Sequence, residues 1–188
     1  MHVIYLHGFC SSTQSFKAQL VKQYVAKHPE HSVFLIDLPH LPAKAKVLVE
    51  AHIATLCNQD WGIVGSSLGG YYATYLAEKY GVKSVLINPA VDAPNLLKPL
   101  LGENKNYHSE QTFELTHEHL LQLQTLFVPT ITTPSDTLLL TQTGDEVLDY
   151  QAGVDYYAGA KQVVIKGGNH GFDDYADYLG CTFEHLIG

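Results

Sequence analysis

Six short apolar runs punctuate this chain, and they limit its fold more than any other feature. They are His2–Leu6, Val33–Asp37, Gly62–Gly65, Lys83–Asn88, Thr137–Gln142 and Gln162–Lys166. A strand that is apolar at consecutive positions has to be covered on both faces, which is the situation inside a parallel sheet. Helical spacing of apolar residues lies between the runs, at 43–57, 68–80, 149–158 and 173–186. Strands alternating with helices predict an α/β chain with a doubly wound, mostly parallel sheet of about six strands. In such sheets the chemistry gathers in loops past the carboxyl ends of the strands. One stretch, roughly 90–135, breaks the rhythm. Pro89, Pro94, Pro99, Pro129 and Pro134 punctuate it, and 96–101 and 117–126 read as helices. It is expected to form a small helical cap over the carboxyl edge. No repeat or linker divides the 188 residues, so one domain spanning 1–188 is expected.

Charge narrows the partners. The net charge is −8, and all 11 basic residues are lysine. A chain without arginine lacks the side chain that reads phosphates and base edges through two parallel hydrogen bonds. Nucleic acid is excluded as a partner on this reading, and so is an anionic membrane surface. No run approaches the roughly 18 apolar residues that a bilayer span needs. The N-terminus enters the first strand without a basic leader. Cys10, Cys57 and Cys181 are odd in number and have no metal-ligand spacing. Reduced thiols in a cytoplasmic protein are the expectation.

Gly65-Ser66-Ser67-Leu68-Gly69 reads G-x-S-x-G, and it sits between a predicted strand and a predicted helix. A serine on so tight a turn is forced outward on a strained backbone, and the flanking glycines let neighbouring chain pass close by. The pattern alone is also that of a glycine-rich phosphate cradle, so the other strand ends have to decide. After the first strand comes His7-Gly8-Phe9, whose Phe9 backbone N–H, paired with that of Leu68, makes a two-donor oxyanion hole. His7 itself is expected to bond the loop. After the fifth strand comes Thr143-Gly144-Asp145-Glu146-Val147. Asp145 falls at the strand end, whereas Asp149 is expected to cap the next helix. After the last strand comes Gly167-Gly168-Asn169-His170-Gly171-Phe172, a loop open enough for His170 to reach Ser67. An imidazole is suited to general-base work near neutral pH. His117 and His119 are two apart and do not share a helix face, so no metal site is predicted there. The order Ser67, Asp145, His170, each after its own strand, is the α/β-hydrolase order.

At this point the chain resembles the YqiA-type esterases, a small bacterial branch of the α/β-hydrolases. The similarity runs nearly end to end. It is carried by Tyr5-Leu6-His7-Gly8-Phe9 with Ser11-Ser12, by Gly62 to Thr74 around the serine, by Asn88-Pro89-Ala90-Val91, by Gln142 to Tyr150, and by Gly167-Gly168-Asn169-His170. The resemblance implies a cofactor-free esterase with Ser67 as nucleophile, Asp145 as acid and His170 as base. Cys10 departs from the pattern, where asparagine is expected.

The expected substrate is a small acyl ester with a short acyl chain, hydrolysed through an acyl-enzyme. Phe9, Tyr71, Tyr72, Phe172 and the leucine-rich insertion are candidates for lining its pocket, although core packing is an equal role for Tyr72 and Phe172. Three other readings stay open: an acyl-CoA thioesterase with the same machinery, a non-catalytic binding module on a hydrolase fold, and a phosphate-binding protein. A CoA site would want clustered positive charge, and the insertion offers only Lys98 and Lys105.

Overall fold

The structure is a computed structural model that describes residues 1–57 and 59–188. In chain order its elements begin β1 (His2–Leu6), α1 (Phe16–Ala26), β2 (Ser32–Leu35), α2 (Pro42–Ile53), β3 (Trp61–Ser66), α3 (Leu68–Tyr80), β4 (Ser84–Ile87) and α4 (Ala93–Leu97). They continue with β5 (Gly102–Lys105), β6 (Thr112–Leu115), α5 (His117–Gln124), β7 (Thr137–Gln142), α6 (Tyr150–Tyr156), β8 (Lys161–Ile165) and α7 (Leu179–Ile187). Six strands form one sheet in the order β2-β1-β3-β4-β7-β8, and every neighbouring pair is parallel.

The apolar runs are continuous because successive side chains enter two different cores. Ile4, Leu6, Ile63, Leu86 and Leu139 point to one face, where Ala45, Val49 and Ile53 of α2 and Tyr72 and Leu76 of α3 cover them. Val3, Tyr5, Val64, Val85, Leu138 and Leu140 point to the other, against Ala18 and Val21 of α1 and Phe183 and Leu186 of α7. Each side chain of this kind contributes about 1.5–3 kcal/mol when fully buried. A one-residue slip would exchange the two faces, so the period of two fixes the register.

The strand order also fixes where the loops part. From β1 the chain moves outward to β2, then crosses back to β3 and continues through β4, β7 and β8. Right-handed crossovers running in opposite directions place their helices on opposite faces, which is why α1 lies apart from α2 and α3. The loops after β1 and β3 therefore diverge and leave a crevice at their carboxyl ends, the switch point where open α/β sheets bind ligands.

Three expectations need correction. The insertion is not purely helical: β5 and β6 form an antiparallel hairpin with Gly102 opposite Leu115 and Lys105 opposite Thr112. Its first strand, Gly-Glu-Asn-Lys, carries no apolar residue, and the second, Thr-Phe-Glu-Leu, alternates over only four residues, too short a run to stand out. Helix α1 falls outside the helical spacings read from the sequence, because its residues Phe-Lys-Ala-Gln-Leu-Val-Lys-Gln-Tyr-Val-Ala mix lysine and glutamine among few buried positions. The last helix begins later than expected. Residues Tyr175–Tyr178 form a 3-10 turn, and α7 follows it.

Glycine sets how closely α3 approaches the sheet. A Cβ on Gly69 would lie 2.0 Å from the Leu6 carbonyl oxygen, whereas a Cβ on Gly153 in α6 would meet nothing within 4 Å. Gly69→Ala should therefore cost about 3 kcal/mol or more, as forced overpacking against backbone does. Gly153→Ala should raise stability by about 0.5–1 kcal/mol through the unfolded chain. Urea unfolding of the two variants checks this, and similar midpoints would contradict the account.

Candidate active site

Ser67 stands between β3 and α3 with φ 56° and ψ −121°, a strained conformation for a residue with a side chain. The surrounding backbone holds it there. Its N–H donates to the Ile87 carbonyl (3.0 Å), and its own carbonyl accepts from Gly70 (2.9 Å) and Ala90 (3.1 Å). A Cβ on Gly65 would come within 2.4 Å of the Gly69 oxygen and 2.7 Å of the Ala73 Cβ, so the turn closes only around glycine. Gly8 is less tightly confined, but a Cβ there would still lie 3.1 Å from the Ser67 Cβ. The loop after β1 thus runs directly beside the serine.

His170 lies beside Ser67. Its Nε2 is 3.0 Å from the Ser67 Oγ, and its Nδ1 is 2.8 Å from the Asp145 Oδ2. With a carboxylate as the partner, Nδ1 carries the proton and donates, which leaves Nε2 as the acceptor for the serine hydroxyl. The Asp145 side chain is 1% exposed and that of His170 is 21% exposed. The carboxylate is thus sheltered while the imidazole stays reachable. Burial alone would raise the Asp145 carboxyl. The hydrogen bonds from His170, Leu148 and Val147 outweigh it and hold the group below its usual range. Asp149 is set apart: it caps α6 and accepts from the Gln151 N–H at 2.9 Å.

The Phe9 amide lies in the loop after β1, next to Gly8, and the Leu68 amide opens α3. Among the described residues neither donates to another protein group, as expected for a loop amide and the first amide of a helix. His7 bonds the loop instead. Its Nδ1 donates to the Gly8 carbonyl (2.9 Å), and its Nε2 accepts from the Leu38 N–H (2.9 Å). Burial pushes its imidazole below the ordinary value, against the pull of the Gly8 carbonyl. Cys10 adopts φ 54°, the left-handed region that asparagine tolerates better than most residues with side chains, which accounts for the asparagine expected there. Burial pushes its thiol up to about 11, so it is protonated and a poor rival nucleophile.

A cavity of about 320 Å³ adjoins the two amides. Leu68, Tyr72, Leu97, Phe113 and Leu123 make its apolar side, and Ser11, Asp37, Asn106 and Gln111 contribute polar groups. Among the described residues no lysine lines it. The β5–β6 hairpin closes it over the first loop. The Asn106 Nδ2 donates to the Ser11 carbonyl and the Tyr107 N–H to the Cys10 carbonyl, each at 2.8 Å.

The expected lining is partly corrected. Phe9 lines the cavity and stands edge-on to Phe113 at 5.7 Å between ring centroids. Tyr71 does not line it: it is buried in the same core as Tyr72, and its hydroxyl donates to the Leu123 carbonyl at 3.0 Å. Phe172 is fully buried in the opposite core, beside Tyr175. The neighbour of Tyr71, Tyr72, takes the lining position. Helix phase decides this, since consecutive residues project about 100° apart.

The chain belongs to the uncharacterised protein family UPF0227, the YqiA-type family, whose model matches residues 2–185. Its fold is the α/β-hydrolase fold. It is similar to a candidate hydrolase of Agrobacterium vitis S4 (18% identity, 100% of this chain and 88% of that one, TM-score 0.81). It is also similar to mouse alpha/beta hydrolase domain-containing protein 10 (20%, 99% and 89%, TM-score 0.77) and to Est1E from Butyrivibrio proteoclasticus (17%, 100% and 88%, TM-score 0.71). Among the described residues no helix is long and apolar enough to cross a membrane.

The two adjacent tyrosines give a direct check on the lining. Tyr71→Phe removes the hydroxyl's bond to the Leu123 carbonyl, which keeps the Leu126 N–H at 2.8 Å, and should cost about 1 kcal/mol of stability. Tyr72→Phe should cost less than half as much, because among the described residues no protein acceptor holds its hydroxyl. Chemical denaturation of both variants measures the difference, and equal losses would put Tyr71 back on the cavity wall.

Proposed function

We propose that this chain is a serine esterase that hydrolyses short-chain acyl esters, a carboxylic ester hydrolase working as one domain over residues 1–188 without a cofactor. One observation carries the reading. Ser67 Oγ, His170 Nε2 and Nδ1, and Asp145 Oδ2 form an unbroken line of contacts, at 3.0 and 2.8 Å, drawn from three separate strand ends.

In this reading the Ser67 Oγ attacks the ester carbonyl while His170 Nε2 takes the hydroxyl proton. Asp145 holds the imidazole tautomer and stabilises the imidazolium without becoming protonated itself. The Phe9 and Leu68 amides receive the oxyanion of the tetrahedral intermediate. His170 then gives the proton to the leaving alcohol, and an acyl group remains on Ser67. Water, deprotonated by the same imidazole, attacks that ester, and the carboxylic acid departs. Because the Asp145 carboxyl is held low, it stays ionised as pH falls.

The cavity supports a short acyl group. Each enclosed methylene contributes up to about 0.8 kcal/mol until the space is filled. At about 320 Å³ the cavity is near the lower end of the usual range for ligand sites. With Asp37 and no lysine among the described lining residues, it also favours neutral esters over the phosphates of CoA.

Labelling by a fluorophosphonate tests the nucleophile: the protein should be modified on Ser67, and Ser67→Ala should be unlabelled and nearly inactive. Asp145→Asn should lower turnover by up to about 10⁴-fold. Asp149→Asn should act mainly on stability, by about 1 kcal/mol. The opposite ranking of turnover losses would show that the acid is Asp149.

Across p-nitrophenyl esters, kcat/KM should peak near butyrate or hexanoate and fall beyond. A rise continuing to palmitate, or a strong preference for acyl-CoA over the matching ester, would contradict the proposed substrate class.

A further inference from the structure

We propose that Asn88 is a positioning residue for His170: its side-chain amide ties the end of β4 to the loop that carries the imidazole. The proposal rests on the reading of His170 as the base.

Asn88 is 2% exposed and has φ 40°, in the left-handed region. Its backbone N–H donates to the Leu140 carbonyl on β7 at 2.9 Å. Its Oδ1 accepts from the Gln142 N–H at 3.0 Å, so the carboxamide is oriented by β7. The Nδ2 then points at the loop and donates to the Asn169 carbonyl at 3.1 Å and to the His170 carbonyl at 3.3 Å. A carboxamide supplies the acceptor and the two donors that this position uses.

The loop needs such a hold. Gly167 and Gly168 adopt φ 80° and 74°, and Gly171 follows the histidine. A segment this rich in glycine is conformationally permissive, and an imidazole displaced by about 1 Å can cost about 10²-fold in rate. The enclosed Gln142 also holds this loop, its Oε1 accepting from the Asn169 N–H at 2.9 Å, and further contacts hold it from outside. The His170 N–H donates to Glu146 Oε2 (3.0 Å), and Lys17 Nζ donates to the Gly171 carbonyl (2.5 Å). Glu146 is exposed, so water can take its place. Asn88 is enclosed, and no solvent molecule can reproduce its three directed bonds. Aspartate at 88 would keep the acceptor for Gln142 but turn an oxygen toward two carbonyls. Glycine would keep the backbone angle and remove the tie.

The test compares wild type with Asn88→Asp and Asn88→Gly on p-nitrophenyl butyrate and ethyl butyrate, with thermal melts of all three. Ethoxide cannot leave without a proton from His170, whereas p-nitrophenolate can. A displaced imidazole should therefore lower kcat/KM by about 100-fold for ethyl butyrate and by only about 10-fold for p-nitrophenyl butyrate. A change that only reduced the folded fraction would lower both equally. Proton NMR of the His170 Nδ1–H, identified by its absence in His170→Gln, gives a readout independent of turnover. Its signal should shift or broaden in both variants while the melts stay cooperative. If wild type hydrolyses neither ester, the esterase reading fails, and the Nδ1–H signal alone decides the role of Asn88. Equal losses on the two esters, an unchanged Nδ1–H signal, or failure of both variants to fold would each overturn the proposal.

Discussion

The contact between the start of α3 and the end of β1 governs the rest of the carboxyl edge. A Cβ on Gly69 would sit 2.0 Å from the Leu6 oxygen and 2.7 Å from the His7 oxygen. Only a bare backbone allows the helix to come this near. That approach brings the loop after β1, at Gly8, against Ser67. The strain at Ser67 is the local cost, about 1–3 kcal/mol for a residue of this kind. The bonds from its N–H to Ile87 and to its carbonyl from Gly70 and Ala90 hold it in place. Cys10, Asn88 and Phe172 also have positive φ, at the ends of other loops along the same edge. Backbone strain of this sort gathers where surrounding structure over-determines a site.

The second constraint is electrostatic. Asp145 is almost fully enclosed, and an enclosed carboxylate is costly unless its lone pairs are met. Val147 and Leu148 each donate to its Oδ1 at 2.8 Å, and His170 meets its Oδ2. The acid is thus satisfied by the turn that follows it and by the imidazole it orients. Its neighbour Glu146 serves the same loop through the backbone, accepting from the His170 N–H. Two adjacent carboxylates therefore hold one histidine by its ring and by its peptide.

Much of this was legible in the sequence, and the reason differs from element to element. β1, β7 and α3 were bounded to the residue, because a run buried on both faces or a helix closed by glycine leaves a clear mark. Gly81, with φ 63°, ends α3 in this way. The three polar members of the candidate site could be named because each follows its own strand. Other features left no such mark. Helix α1 buries few residues fully, and its course is set by packing on the sheet. The hairpin strands pair only with each other and carry mixed polar residues. Tyr71 and Tyr72 are adjacent and alike, so only the phase of α3 says which one reaches the cavity. Asn88 was visible as a residue before a proline but without a role, since its partners on β7 and on the histidine loop lie 54 and 81 positions away.

The account stands or falls on acyl transfer to one hydroxyl. Wild-type protein mixed with excess p-nitrophenyl butyrate, quenched in acid within milliseconds and digested, should yield a butyrylated peptide whose modified residue is Ser67. Acyl occupancy should rise before steady state and decay as substrate is exhausted. A butyryl group on Ser66 or Cys10, or turnover with no covalent intermediate on any residue of the carboxyl edge, would contradict it.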